Sequence, residues 1–454
     1  MNVSTGKKLN GYQVLSIAFG AMIGWSWILL TSTWIVKAGV LGAVVAILAV
    51  GLAILLIAGI YGELASVFTE NGGEHIYTKI ILGPMASFIC SWLLLLGYVS
   101  VVAFEIVVFP LVVSYLFPSI NMILLWNFNG FDVYLGQVIV GLLAGLVLTI
   151  INSHGIMLSA KLQASVTLLI VIAGFFLVVG AFNYELKTPL VDLGFDLKGT
   201  FGVAIMVPMM FVGFDIIAQT AKEIRVDQKK IGILIMSSVI CGVIFYASII
   251  ASVGSVLGSE AQQFELSTAI AAERAWAWLP AKFILIFGGI AGIITTWNGF
   301  LLGASRLMSS MAIDRQLPHW LVDKPSSFMI QNSRRSLWFI FFVTGTAPLF
   351  GQATLIWFIN AGGVGVVIAY IFVTISFVKY RITNPNVRRP FQIRFWKLWG
   401  LFALSLSLGL LSLYLPFSPS GLKWPEEWGI VLIWCFIGLC LFFMKGRNAA
   451  QRQF

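Results

Sequence analysis

Long apolar stretches dominate this chain and leave little room for a hydrated surface. Runs bounded by charge or turn-forming residues fall near 12–36, 39–61, 85–117, 134–151, 158–181, 200–221, 231–257, 280–304, 336–350, 353–378, 398–416 and 428–444. The third is long and the ninth short. The others are compatible with the roughly 20 residues an α-helix needs to cross hydrocarbon. Only 10% of the 454 residues are charged, where a soluble domain carries about a quarter. Transmembrane strands would alternate over about ten residues, and these runs do not. The expected fold is an all-α polytopic membrane protein with 12 transmembrane helices. No linker or soluble insert interrupts it, so 1–454 reads as a single transmembrane domain. The first run lacks a small-residue cleavage site and reads as a span rather than a signal peptide.

The formal net charge is +10, and its location is more informative than its size. With the N-terminus in the cytoplasm, Lys7, Lys8 and the basic clusters 222–230, 379–397 and 445–452 all lie inside. The outer loops keep Lys37, Lys187, Lys198, Arg274, Lys282 and Lys423. This bias predicts a multi-pass protein of the plasma membrane, a bacterial cytoplasmic membrane in this reading, with both termini cytoplasmic. The clusters suit topology and anionic lipid; no zinc-finger spacing accompanies them, and no nucleic-acid partner is expected. Cys90, Cys241, Cys435 and Cys440 fall in apolar runs and read as packing. His75, His154 and His319 share no ligand spacing, so neither metal nor cofactor is expected. A phosphate-binding loop is missing as well, which favours gradient-driven transport or exchange over ATP hydrolysis. The outer segment 258–280, with Glu260, Glu265, Glu273 and Arg274, reads as a cap on the outer mouth. The inner segment 305–335 reads as a loop with short amphipathic helices.

Two spans carry weak points at their centres. The first reads FGAMIGWSWILL over residues 19–30, with Gly24 and Ser26 at mid-depth. The sixth reads VPMMFVGFDIIAQT over 207–220, with Pro208, Gly213 and Asp215. A helix opens in lipid only where protein or a wet cavity meets the freed backbone groups. These are the first spans of two blocks of five, 12–181 and 200–378, with 398–444 added. Five spans per block place the second block upside down, the pattern of an inverted-repeat transporter with a midplane site. A half-helix start offers free N–H groups to a carboxylate, and a half-helix end offers carbonyls to an ammonium or cation. Close helix packing is the simpler account of these glycines taken singly.

Four stretches together resemble the amino acid–polyamine–organocation transporters, the amino acid permease family. They are GAMIGWSWI at 20–28, TENGGEHIYTKIILG at 69–83, MMFVGFDIIAQTAKEI at 209–224 and GASRLMSSMAIDRQLP at 303–318. The resemblance implies a five-plus-five inverted fold with helices 1 and 6 discontinuous and two extra helices. It also implies alternating-access movement of amino acids or related amines, by exchange or coupling to a proton or sodium ion. In the resemblance, Ile23, Gly24, Trp25 and Ser26 match the loop holding a substrate carboxylate. Phe211, Val212 and Gly213 match the segment taking the amino group. Met209 falls at a gate position, Asn298 near the site on helix 8, and Asp215 at the acid beyond the helix 6 break. Trp25 and Ser26 replace the family's small residues. Ile170 stands where proton-coupled relatives carry a lysine, which puts a similar lysine mechanism in doubt.

Glu105 and Asp215 are acids at bilayer depth, where charge is expensive and faces the bundle interior. Both are candidates for proton coupling or gating, against a structural, hydrogen-bonded role. Lys161 is a third coupling or gating candidate at the inner end of helix 5, although snorkelling to the cytoplasm explains it more simply. The leading function is a secondary amino acid transporter with membrane lipid as its surroundings, and not an enzyme. An amine or polyamine transporter is the alternative, motivated by Trp25 and the two acids. A non-transporting membrane sensor or scaffold is the reading from another class.

Overall fold

The computed structural model describes residues 9–184, 194–264, 266–323, 333–418 and 420–450. Lys7, Lys8, Lys187 and Glu265, named above, lie outside the described residues, as do Lys324 and Arg452 and the side chains of Lys445 and Arg447. The helices run α1 Gly11–Met22, α2 Ser26–Val67, α3 Glu74–Leu82, α4 Pro84–Leu116, α5 Leu135–Ser153 and α6 Ile156–Asn183. They continue as α7 Leu197–Ala204, α8 Val207–Phe211, α9 Ile216–Gln219, α10 Gln228–Leu257 and α11 Ser267–Trp276. The last are α12 Ala281–Ile313, α13 Arg334–Thr344, α14 Thr354–Thr383, α15 Trp396–Leu413 and α16 Glu426–Ala450. Among the described residues, 8 helices are long and apolar enough to cross a membrane. The chain is a polytopic helical bundle.

Local chemistry starts the helices. Asn10 accepts from the backbone N–H of Gln13 at 2.9 Å while the Gln13 side chain accepts from the N–H of Asn10 at 3.0 Å, a capping box at α1. Asp196 and Asp227 accept from backbone N–H groups at the starts of α7 and α10. Gly39 is non-helical, with φ 73° and ψ 168°, and divides α2 into two helical segments, in keeping with separate runs ending near 36 and starting near 39.

The core centres on α4 and α12, each 78% buried along its most apolar stretch, whereas α15 is 22% buried there. Its remaining Leu and Phe side chains make the lipid-facing surface, where apolar exposure carries no hydrophobic penalty.

Three features differ from the sequence expectation. The all-α bundle carries a small unexpected element: strands β1 Leu124–Phe128 and β2 Phe131–Tyr134 form an antiparallel hairpin between α4 and α5. Its turn is Asn129–Gly130, with φ of 49° and 86°, the Asn-Gly signal for such turns. The ninth run is interrupted, with α13 ending at Thr344 and a 3-10 segment at Ala347–Ala353. The eighth span extends to Ile313, which buries Arg306 rather than placing it in a loop. In the segment 258–280, α11 bonds to the helix beneath it through Thr268 Oγ1 to the Trp27 carbonyl at 3.0 Å.

Several polar contacts seal the face that carries the N-terminus. Leu9 pairs with Ile224 in a parallel bridge, with Leu9 N to Glu223 O and Arg225 N to Leu9 O each at 2.8 Å. Buried Arg306 donates to Glu223 Oε1 at 3.1 Å, and Asn71 donates to the same oxygen at 3.2 Å. Gln219 on α9 donates to Glu74 on α3. His75 Nε2 donates to Asp314 Oδ2 at 2.7 Å, and Lys79 Nζ donates to Asp314 Oδ1 at 2.6 Å. Glu63 on α2 holds Arg381 at 2.6 Å and Arg389 at 3.3 Å, all three buried, and accepts from the Ile393 N–H at 2.8 Å. The cluster 379–397 therefore ties α2 to α14.

Removing one member of a buried ion pair costs about 3–5 kcal/mol because the partner charge stays behind. Glu63→Gln is expected to lower the unfolding temperature of detergent-solubilised protein strongly; an unchanged Tm would show the guanidiniums to be satisfied without it. The hydrogen bond from His75, with help from Lys79, holds the Asp314 carboxyl down at about 2 against an ordinary 3.8. A depressed acid contributes stability above its unfolded pKa and loses it as pH falls towards the folded one. Asp314→Asn should therefore lower Tm at pH 7, and the gap to wild type should close as pH falls from 3.8 to about 2.

Candidate functional site

The first helix stops at Met22 and restarts as α2 at Ser26. Ile23 leaves helical geometry (φ −98°, ψ 81°), its N–H still bonded to the Phe19 carbonyl at 3.1 Å. The N–H groups of Gly24, Trp25, Ser26 and Trp27 have no main-chain acceptor among the described residues. A helix start leaves such donors free. Other helices hold the gap open. Tyr246 of α10 donates to the Met22 carbonyl at 2.9 Å, and its hydroxyl also lies 2.8 Å from Ser26 Oγ. Thr296 of α12 donates to the Gly20 carbonyl at 3.3 Å. Gly292 lets α12 close on the break, since a Cβ there would sit 2.5 Å from the Gly24 carbonyl oxygen.

The sixth span opens in a related way. Pro208 lies in the first turn of α8, Val212 is extended, and Gly213 takes φ 127°, a conformation side chains disfavour. Asp215 stabilises the opening: Oδ1 accepts from the Gly213 N–H at 2.8 Å and Oδ2 from the Tyr98 hydroxyl at 2.5 Å. A Cβ on Gly213 would meet Ala21 at 3.0 Å, so the two openings abut.

A central cavity of about 30 Å³ lies beside them, room for about one water. One part is polar, formed by Gly24, Ser26, Glu105 and Thr296; the rest is apolar, with Met22, Met209, Met210, Phe104 and Phe300 prominent. Glu105 is 2% exposed, and its Oε2 has no hydrogen-bond partner among the described residues. An unpaired buried carboxyl is costly, so this one is set up to receive a donor. Gly24 stands close opposite it, since a Cβ there would lie 2.7 Å from Glu105 Oε1 and the carboxyl would have to shift.

The predicted site residues divide accordingly. Gly24, Ser26, Met209 and Glu105 line the cavity. Ile23, Val212 and Gly213 shape the two backbone openings, and Phe211 packs on Tyr246 with ring centroids 5.6 Å apart. Trp25 does not narrow the cavity: its ring lies against Gly289 of α12 and borders a separate outer space. Asp215 is fully buried in its own bonds rather than lining the cavity. Asn298 faces the other way, accepting from Asn152 at 2.8 Å and Ser159 at 3.0 Å and donating to Gln163 at 2.8 Å. Two helical residues turn through about 200°, so Thr296 and Phe300 face the cavity while Asn298 faces α5 and α6. Lys161 is exposed on α6, away from the cavity. Sequence reasoning missed Tyr246, Thr296 and Met210. The first had a visible signal, a tyrosine in the otherwise largely apolar run VIFYASII, which also holds Ser248.

Comparison with known proteins fits this geometry. Residues 9–441 match the family model described as amino acid permease. The chain belongs to the amino acid permease family. It is a membrane transporter of small polar solutes such as amino acids by secondary transport, and not an enzyme. A methylthioribose transporter of Bacillus subtilis (strain 168) is 23% identical over 454 residues, covering 98% of this permease and 94% of the relative. The branched-chain amino acid permease BcaP of the same organism is 24% identical over 466 residues, covering 99% and 95%. An aspartate-proton symporter, also from that organism, is 29% identical over 116 residues, 26% of this permease and 22% of the symporter.

Tyr246→Phe tests the bridged break. Losing a hydrogen bond to a buried carbonyl costs about 1–3 kcal/mol, so Tm should fall. With the break as the proposed solute site, affinity should also fall, by roughly one to two orders of magnitude. Unchanged uptake kinetics would show the bridge to be dispensable.

Proposed function

We propose that the permease carries small amino acids with apolar side chains by alternating access through the central cavity. The observation that carries this reading is the unpartnered Glu105 carboxyl beside free N–H groups of the helix 1 break. A zwitterion complements both: its carboxylate meets the N–H groups at 24–27, where the helix dipole is positive. Its ammonium meets Glu105, and its side chain takes the apolar wall. The three methionines, Met22, Met209 and Met210, are flexible enough to repack around different side chains. The cavity as described is smaller than such a solute, so loading requires it to expand.

The reading includes 12 spans in two inverted blocks, 12–181 and 200–378, with 398–444 appended, all in one transmembrane domain. The paired openings of the first and sixth spans support it. The charge bias supports a bacterial cytoplasmic membrane and cytoplasmic termini. Glu105 is the candidate coupling acid; Asp215 serves the helix 6 opening and acts as a gate. Coupling is to a proton or by exchange, and a sodium requirement is tested in parallel.

A second reading has one observation in its favour. A carboxyl such as Glu105 also accepts from an amine or from hydroxyl groups, and such solutes need no carboxylate nest. The relative named for methylthioribose belongs with that chemistry.

Proteoliposomes should take up labelled apolar amino acids, driven by a pH gradient or by internal exchangeable solute. Glu105→Gln is expected to reduce uptake at least tenfold, about 1.4 kcal/mol or more, with Tm preserved, and to flatten its pH dependence. Competition by amines or by methylthioribose without competition by amino acids would favour the second reading. Absence of flux for every amino acid and amine would overturn the first.

A further inference from the structure

A second cavity of about 390 Å³ lies above the central one, reaching the β1–β2 hairpin. The two are stacked along the same helices. On α4, Val101, Phe104 and Glu105 line the central cavity, and Val108 and Leu111 line the upper one. On α14, Ile359 lines the first and Leu355 the second. These sets are about one helical turn apart, roughly 5 Å along the axis. Trp25 sits at this level. Its chain neighbours Gly24 and Ser26 face the central cavity, whereas Trp25 itself borders the upper one and is 1% exposed.

The indole is seated without being tied. Its ring rests on the bare backbone of Gly289, where a Cβ would come 2.0 Å from Cζ3. It makes no hydrogen bond among the described residues. Trp92, Trp126, Trp276, Trp399 and Trp434 each donate to a carbonyl, whereas the indoles of Trp27, Trp34 and Trp428, like that of Trp25, have no partner among the described residues. A ring held by contact alone rotates without breaking a buried polar bond. It also stands at the N-cap of α2, directly after the break.

From this we infer that Trp25 is the gate between an outer vestibule and the central cavity. Rotation of its indole off Gly289 joins the two spaces and admits the solute. The assignment rests on the central cavity being the transport site, while its test requires no transported solute.

The test is thiol labelling of the full chain in proteoliposomes, with the four native cysteines replaced by alanine. The probe is a charged, membrane-impermeant methanethiosulfonate. Phe104→Cys reports on the central cavity and Ser114→Cys on the vestibule. With Trp25 in place, Phe104→Cys should react slowly and Ser114→Cys quickly. Adding Trp25→Ala should speed labelling of the first at least tenfold and leave the second unchanged. Gly289→Ala, which forces the ring aside without deleting it, should act in the same direction and serves if Trp25→Ala does not fold. Equal rates at Phe104→Cys in the parent and in the folded variants would overturn the gate. A wrong transport site shows elsewhere, as uptake insensitive to Glu105→Gln, so the two failures are separable.

Discussion

Backbone groups freed inside a bilayer have no water to bond, and each left unpaired costs several kcal/mol. The centre of this permease is organised around that demand. Tyr246 and Thr296 take on part of it at the first opening, and Asp215 with Tyr98 at the sixth. The N–H groups near Gly24 and the Glu105 Oε2 oxygen have no partner among the described residues. In the function proposed here a solute supplies those partners, so that binding and folding draw on one set of hydrogen bonds.

That arrangement gives the two central acids different work. Asp215 accepts from its own chain and from Tyr98, which suits a group that holds a backbone shape. Glu105 has an oxygen with no described partner and faces a cavity. Similar depth and the same charge therefore do not imply the same role, because the neighbours decide it.

The openings were legible because Gly24, Pro208 and Gly213 act locally: they weaken or redirect a helix whatever surrounds it. The family was legible from residues strung along almost the whole chain. Orientation was not. Asn298 lies two residues from Thr296 on one helix, and only the rotation of α12 against its neighbours decides which faces the cavity. Trp25 stands out in the sequence as a large residue where the family has a small one; the space that receives it belongs to Gly289, far away in sequence. Tyr246 acts across 224 residues through one hydroxyl, a relation that no spacing rule contains. The hairpin was missed although Asn129–Gly130 announced it, since attention to apolar runs passed over a short polar turn.

The two ends of the pathway are closed by unlike means. On one side a single indole separates two spaces a helical turn apart. On the other, Leu9 is stitched to the strand-like segment after α9, and Arg306, Glu223 and Asn71 bond beneath it. Moving the first takes a side-chain rotation. Moving the second requires backbone bonds and a buried ion pair to part together, with α1 and α9 joined to the same stitch. In the proposed cycle the two mouths are thus mechanically unlike, one opening through a single side chain and the other only through a collective parting of backbone and ion-pair bonds.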